Sequence, residues 1–184
     1  MLHEMLFAGF GGQGIMFAGQ LMAYAAMDAG YQVTWIPSYG PEMRGGTAYC
    51  QVMISDQPIG SPITKHPSVG LIFNMPSYDK FSPLMQPNGI LVYNQSLIPN
   101  AVPRTDIRVL PIPATERAPA PQLANMVMLG ALLTLEPILS VAQMKAALEA
   151  HMPAHRKGLL NANFEALAIG AQLAEQMLVK RYRP

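Results

Sequence analysis

Apolar and polar positions alternate between two periods along the chain, and the changes of period mark the elements. Met5-Leu6-Phe7-Ala8 is a short apolar run stopped by glycines, which reads as a buried first strand. From Ile15 to Ala29 good helix formers dominate, only Gln20 and Asp28 are strongly polar, and Gly30 supplies a stop, so a mostly buried helix is predicted. Val33 to Ile36 makes a second strand. Pro37 to Gly46 is too rich in Pro and Gly to be regular. Thr47 to Ile54 carries β-branched and aromatic residues in partial alternation and reads as a third strand, followed by a loop from Pro58 to Pro67.

Two apolar runs, Leu71-Ile72-Phe73 and Ile90-Leu91-Val92-Tyr93, flank a predicted helix around Tyr78 to Met85 and the turn Pro87-Asn88-Gly89. Strand, helix and strand at this spacing signal a parallel βαβ unit. Ile107 to Leu110 is a last strand before a Pro-rich connection to Pro121. The rest is helical: Gln122 to Leu135, then a helix to Ala150 opened by Ser140 and Gln143 as a capping box, then one from Asn161 or Asn163 to about Arg181. The whole predicts a single α/β domain over residues 1–184, a Rossmann-like, doubly wound and mostly parallel sheet with helices on both faces and a helical C-terminal part.

Composition sharpens this picture. Charged residues are 12% of the chain against 51% apolar, with 14 Met and 17 Pro, about half the usual share of charge. Either other chains cover part of the surface or the core is unusually large. The net charge of +1 and the lack of basic runs give no nucleic-acid surface. Cys50 stands alone, which excludes an internal disulfide and a cluster held by four thiolates of this chain. No apolar run reaches the roughly 20 residues of a membrane span and no leader pattern opens the chain, so a cytoplasmic location is expected.

The candidate chemistry lies in two glycine-rich loops. Gly9-Phe10-Gly11-Gly12-Gln13-Gly14 fits G-x-G-x-x-G directly after a strand and at the opening of a helix, where free N–H groups favour an anion. A dinucleotide site also needs an acidic residue at the end of the second strand to bond the ribose. Pro37-Ser38-Tyr39 stands there instead, and Glu42 comes too late. Gln13 adds an amide that both donates and accepts. The second loop, Ser38-Tyr39-Gly40-Pro41-Glu42-Met43-Arg44-Gly45-Gly46, should emerge at the same sheet edge, with Glu42 and Arg44 as a charged pair facing a ligand or solvent.

On these residues the sequence resembles the gamma subunit of 2-oxoacid:ferredoxin oxidoreductases of the 2-oxoglutarate or pyruvate synthase type. The two loops look like the family's first and second signatures, Asn125-Met126-Val127-Met128-Leu129-Gly130 resembles a later helix turn, and Asn161 with Gly170 fits the final helix. The resemblance runs through nearly the whole chain in order. It implies a subunit of an enzyme that converts 2-oxoacid, coenzyme A and oxidised ferredoxin into acyl-CoA, CO2 and reduced ferredoxin, inactive alone. Thiamine diphosphate and iron–sulfur clusters would then belong to alpha, beta and ferredoxin-like delta partners, and this chain would hold no cofactor by itself. The candidate coenzyme-binding or junction residues are Gly9, Gly11, Gly12, Gln13, Gly14, Ser38, Tyr39, Gly40, Glu42, Arg44, Gly45, Gly46 and Asn125. A short separate gamma chain favours 2-oxoglutarate, and a homodimer is expected when partners are absent. A self-sufficient NAD or FAD oxidoreductase and a ligand-free assembly scaffold are the alternatives.

Other constellations carry less. His151 and His155 are four apart but Pro153 interrupts them, and no third ligand is near. Cys50 inside a strand reads as core rather than nucleophile. Arg156 and Lys157 fit a solvated turn or a phosphate contact.

Overall fold

The computed structural model describes residues 1–38, 47–102 and 104–181, with side chains described through residue 179. Six strands form one sheet: β1 (Leu2–Phe10), β2 (Gln32–Ser38), β3 (Thr47–Ser55), β4 (Val69–Ile72), β5 (Ile90–Asn94) and β6 (Arg108–Ile112). Their order is β2-β3-β1-β4-β5-β6. β1, β4, β5 and β6 pair in parallel, whereas β3 lies antiparallel between β1 and β2. The sheet is therefore mixed, mostly parallel, with β3 alone reversed. β2 and β6 are the edge strands, and this is why they can include Pro37 and Pro111, which have no N–H to donate to a ladder.

Six helices accompany the sheet: α1 (Ile15–Asp28), α2 (Met75–Phe81), α3 (Ala114–Arg117), α4 (Ala124–Leu135), α5 (Val141–His151) and α6 (Leu160–Arg181). Alternation along β1 sends Met5 and Phe7 to one face and Leu6 and Ala8 to the other. On the first face they join α1, α4, α5 and α6 in the larger core; on the second they join Tyr78, Phe81 and Met85 from α2 and the short 3-10 turn after it. Both faces are covered, but unequally. Over β3 the second face is closed by the 56–68 connection, where Gln51 exchanges hydrogen bonds with the backbone of Thr64 at 2.9 and 3.0 Å.

Local chemistry explains where the elements depart from the sequence pattern. The helix expected over Tyr78 to Met85 begins at Met75, because the Asn74 side chain accepts from Ser77 N at 2.9 Å and Pro76 suits a first turn. It yields to a 3-10 turn at Ser82–Leu84, where Pro83 cannot continue the α ladder. The Pro-rich connection contains α3, too short to show a period. The expected capping box of α5 is present, with Ser140 and Gln143 bonding each other's backbone. α4 and α6 approach backbone to backbone: a Cβ on Gly130 would strike the Leu167 carbonyl, and one on Gly170 the Val127 carbonyl. Among the described residues no helix is long and apolar enough to cross a membrane.

Candidate functional site

The first glycine turn leaves β1 where the connections diverge. β1 leads to β2 and β3 on one side, while β4, β5 and β6 extend the sheet on the other, so the turn sits at a topological switch point. Gly9 is needed for contact: a Cβ there would lie 2.6 Å from Gln13 Oε1 and 2.8 Å from Phe73 Cβ. Gly12 (φ 89°) and Gly14 (φ 73°) are needed for conformation, since both adopt the left-handed region. Gly11 meets nothing within 4 Å, and no contact here demands it.

The turn is held by amides. Gln13 Oε1 accepts from Phe10 N at 2.7 Å and from Asn74 Nδ2 at 3.2 Å, while Gln13 N donates to Phe10 O at 3.3 Å. On the other flank, buried Asn125 of α4 donates from Nδ2 to Gly14 O at 3.2 Å, and a Cβ on Gly14 would collide with that side chain. Asn125 thus reaches the turn from 111 residues away in sequence. α1 starts with no side-chain cap and no acidic residue in its first turn.

The second loop starts at the same edge. Ser38 pairs with Tyr49 across β2 and β3, Ala8 pairs with the same Tyr49, and Phe10 pairs with Thr47. The strand ends therefore line up, with β3 between them. Tyr39, Gly40, Glu42, Arg44, Gly45 and Gly46, and with them the expected Glu42–Arg44 pair, lie outside the described residues.

Two cavities flank the turn. One of about 360 Å³ is lined by Gly12, Gln13, Phe73, Asn94, Thr115 and Gln122 among others, none of the described lining residues being ionisable. The second, about 190 Å³, joins Gly14, Phe17, Asn125, Arg156 and Asn163. Arg156 lines this second cavity, whereas Lys157 lines neither. Asn74 and Asn94 escaped the sequence reading. Both stand directly after apolar strand runs, Leu71-Ile72-Phe73 and Leu91-Val92-Tyr93, and that placement at the carboxyl edge was the available signal. Buried Asn94 exchanges hydrogen bonds with Thr115, Nδ2 to Oγ1 at 2.8 Å and Oδ1 from the Thr115 N–H at 3.4 Å.

The remaining candidates fall away from the site. His151 Nε2 meets Asp28 Oδ2 at 2.8 Å and its ring stacks on Tyr24 at 4.3 Å, whereas His155 stands on an exposed 3-10 turn. Among the described residues no group of three or more His, Cys, Asp or Glu side chains could hold a metal ion. Cys50 is buried with its thiol near Ile15 O at 3.9 Å, and burial pushes it up to about 12 against a smaller opposing effect of Trp35. A thiol so protonated is no nucleophile. The dinucleotide alternative also loses its frame. Such sites need the second strand beside the first, but here β3 puts β2 two strand spacings, about 9.5 Å, from β1.

Comparison with known proteins agrees with this geometry. The family model described as pyruvate ferredoxin/flavodoxin oxidoreductase matches residues 4–173. The 2-oxoglutarate synthase subunit KorC of Methanocaldococcus jannaschii is 33% identical over 183 residues, covering 96% of each chain. The ketoisovalerate oxidoreductase subunit VorA of Methanothermobacter marburgensis is 39% identical over 131 residues, 70% of this chain, which spans only 27% of that relative's length. Among solved structures, a keto/oxoacid ferredoxin oxidoreductase gamma subunit from Geobacter sulfurreducens superposes with a TM-score of 0.80 at 28% identity, over 95% of this chain and 99% of that one. A 2-oxoglutarate:ferredoxin oxidoreductase from Magnetococcus marinus, with 2-oxoglutarate, coenzyme A and succinyl-CoA bound, gives 0.84 at 27% identity, over 95% of this chain and 31% of that one.

Proposed function

Since the chain belongs to the pyruvate ferredoxin/flavodoxin oxidoreductase family, as a gamma-type subunit, we propose that residues 1–184 act as one module of a 2-oxoglutarate:ferredoxin oxidoreductase that helps seat coenzyme A. The observation that carries the choice of 2-oxoacid is the end-to-end correspondence with a 2-oxoglutarate synthase subunit, against a partial one with the ketoisovalerate subunit. A structural neighbour that binds coenzyme A supports the ligand.

The residues at the sheet edge suit such a role. The glycine turn brings backbone close to a ligand at the uncapped start of α1, and the Gln13 amide stands beside a cavity whose described lining is uncharged. Ser38 begins the second loop at the same edge, with Tyr39, Gly40, Glu42, Arg44, Gly45 and Gly46 as its continuing candidates. Asn125 fixes the far side of the turn through Gly14. The donor set of this chain does not fit an iron–sulfur cluster, because its single thiol is buried and strongly protonated. Electron transfer and decarboxylation are therefore assigned to partner subunits that carry the clusters and thiamine diphosphate.

Co-expression with neighbouring reading frames tests the proposal. The complex should be brown, reduce ferredoxin only with both coenzyme A and a 2-oxoacid present, and show its highest kcat/KM with 2-oxoglutarate over pyruvate and 3-methyl-2-oxobutanoate. The chain alone should be colourless and inactive. A preference for the branched 2-oxoacid would move the assignment to the ketoisovalerate type, and NADH binding by the chain alone would sink it.

A further inference from the structure

The glycine turn contains a hydrogen-bond chain whose direction is forced at both ends by backbone. Ser77 N can only donate, so the Asn74 atom it meets at 2.9 Å is Oδ1. That leaves Asn74 Nδ2 as the donor facing Gln13 at 3.2 Å. Phe10 N, also an obligatory donor, meets the same Gln13 atom at 2.7 Å. Two donors converging on one atom require it to be the oxygen. The orientation of Gln13, ambiguous for an isolated amide, is settled by its neighbours. Asn74 is only 4% exposed, so its end of the chain is protected from water, while Gln13 is half-buried.

Gln13 also lines the larger cavity with Gly12, Asn94, Thr115 and Gln122. With its oxygen turned back toward Gly9, Phe10 and Asn74, the group left to face that cavity is the NH2. The cavity wall therefore presents a fixed donor pair, and among the described residues that line it none carries a charge to attract a phosphate or a carboxylate.

We propose that Gln13 Nε2 donates to a neutral carbonyl oxygen of coenzyme A, of which the pantetheine arm carries two, and that Asn74 is a positioning residue that holds the Gln13 amide in that direction. The inference rests on the coenzyme A reading above. It adds a polarity: the cavity recognises an acceptor, and a ligand group that only donates is rejected.

The test uses the assembled complex and two variants that keep the local structure. In Gln13→Glu one carboxylate oxygen still accepts from Phe10 N and Asn74, while the other replaces the outward donor by an acceptor. In Asn74→Asp the carboxylate still caps α2 at Ser77 but no longer donates to Gln13. Gln13→Glu should raise KM for coenzyme A about 10-fold or more, and Asn74→Asp about 3- to 10-fold, with kcat and KM for 2-oxoglutarate changed less than twofold. The Gln13→Glu ratio should be the same in about 50 and about 300 mM KCl, since repulsion from a phosphate would be screened and a lost bond to a neutral carbonyl would not. Unchanged KM for coenzyme A in Gln13→Glu overturns the proposal. So does an increase that salt relieves, which would place a phosphate there, or loss of assembly with normal coenzyme kinetics in the remaining complex, which would place a partner's backbone carbonyl there. A wild-type complex whose turnover does not depend on coenzyme A would instead defeat the underlying reading before either variant is made.

Discussion

At the scale of single residues, glycines that look alike in the sequence are held by different forces. Gly14 combines a φ of 73° with the Asn125 side chain where a Cβ would go, whereas Gly11 has open space on that side and no positive φ. An L side chain in the left-handed region costs about 1–2 kcal/mol before any clash. Gly14→Ala should therefore lower the melting temperature by several degrees, at about 2–4 °C per kcal/mol for a domain of this size, and Gly11→Ala should leave it unchanged within error. Equal effects in differential scanning fluorimetry would refute that division. Cys50 supplies a pH dependence. Its folded-state value of about 12 lies above the ordinary thiol value of 9.0 because burial disfavours the thiolate. The protonated form is the one the fold prefers, so this contribution is complete below pH 9 and is lost between pH 9 and about 12, at about 1.4 kcal/mol per pH unit. Tyr78 and Tyr93, both raised by burial, add the same sign at higher pH. Urea unfolding from pH 7 to 10.5 should show stability falling above pH 9, with a shallower slope in Cys50→Ala. Native protein at pH 8 should resist iodoacetamide.

At the scale of elements, the α4–α6 contact illustrates both what the sequence discloses and what it withholds. Gly130 and Gly170 sit inside helices, where glycine is a poor choice, and each faces a carbonyl of the other helix. Substituting Ala at either should cost about 1–3 kcal/mol through overpacking, despite Ala's better helix propensity, and denaturant midpoints would check the sign. A midpoint shift upward would show that the helices can separate without loss. The strands, the capping box at Ser140 and Gln143 and the glycine turn were legible because they depend on neighbours within a few positions. The start of α2 at Met75 was not, since one asparagine cap and a proline outweighed the apolar spacing. Nor was the reversal of β3, because Thr47 to Ser55 has the same alternation whichever way it runs. Gln13, Asn74 and Asn94 show the same division within the site. The first was visible inside its motif, while the other two needed strands to place them at one edge.

For the whole molecule, the mixed sheet decides what kind of edge the protein offers. Placing reversed β3 between β1 and β2 puts the end of β2 at Ser38 and the start of β3 at Thr47 on the same edge of the sheet as the first glycine turn. Both ends of the sheet order, β2 and β6, are edge strands paired on one side only, each carrying a proline, Pro37 and Pro111. Large apolar side chains are exposed around the molecule as well, among them Met27 at 53%, Ile36 at 37% and Leu159 at 53%. With only 12% charged residues there is little polar surface to offset them. Of the two accounts of this composition, a large core alone does not explain Ile36 exposed within an edge strand, whereas coverage by other chains does. The isolated chain is accordingly expected to sediment as a homodimer at micromolar concentration. Replacing Ile36 by Lys, which puts a charge on the open edge, should shift the isolated chain toward monomer. A monomer for the unsubstituted chain across the accessible concentration range, or a dimer indifferent to Ile36→Lys, would remove β2 from the association surface and leave the exposed apolar residues to be covered elsewhere.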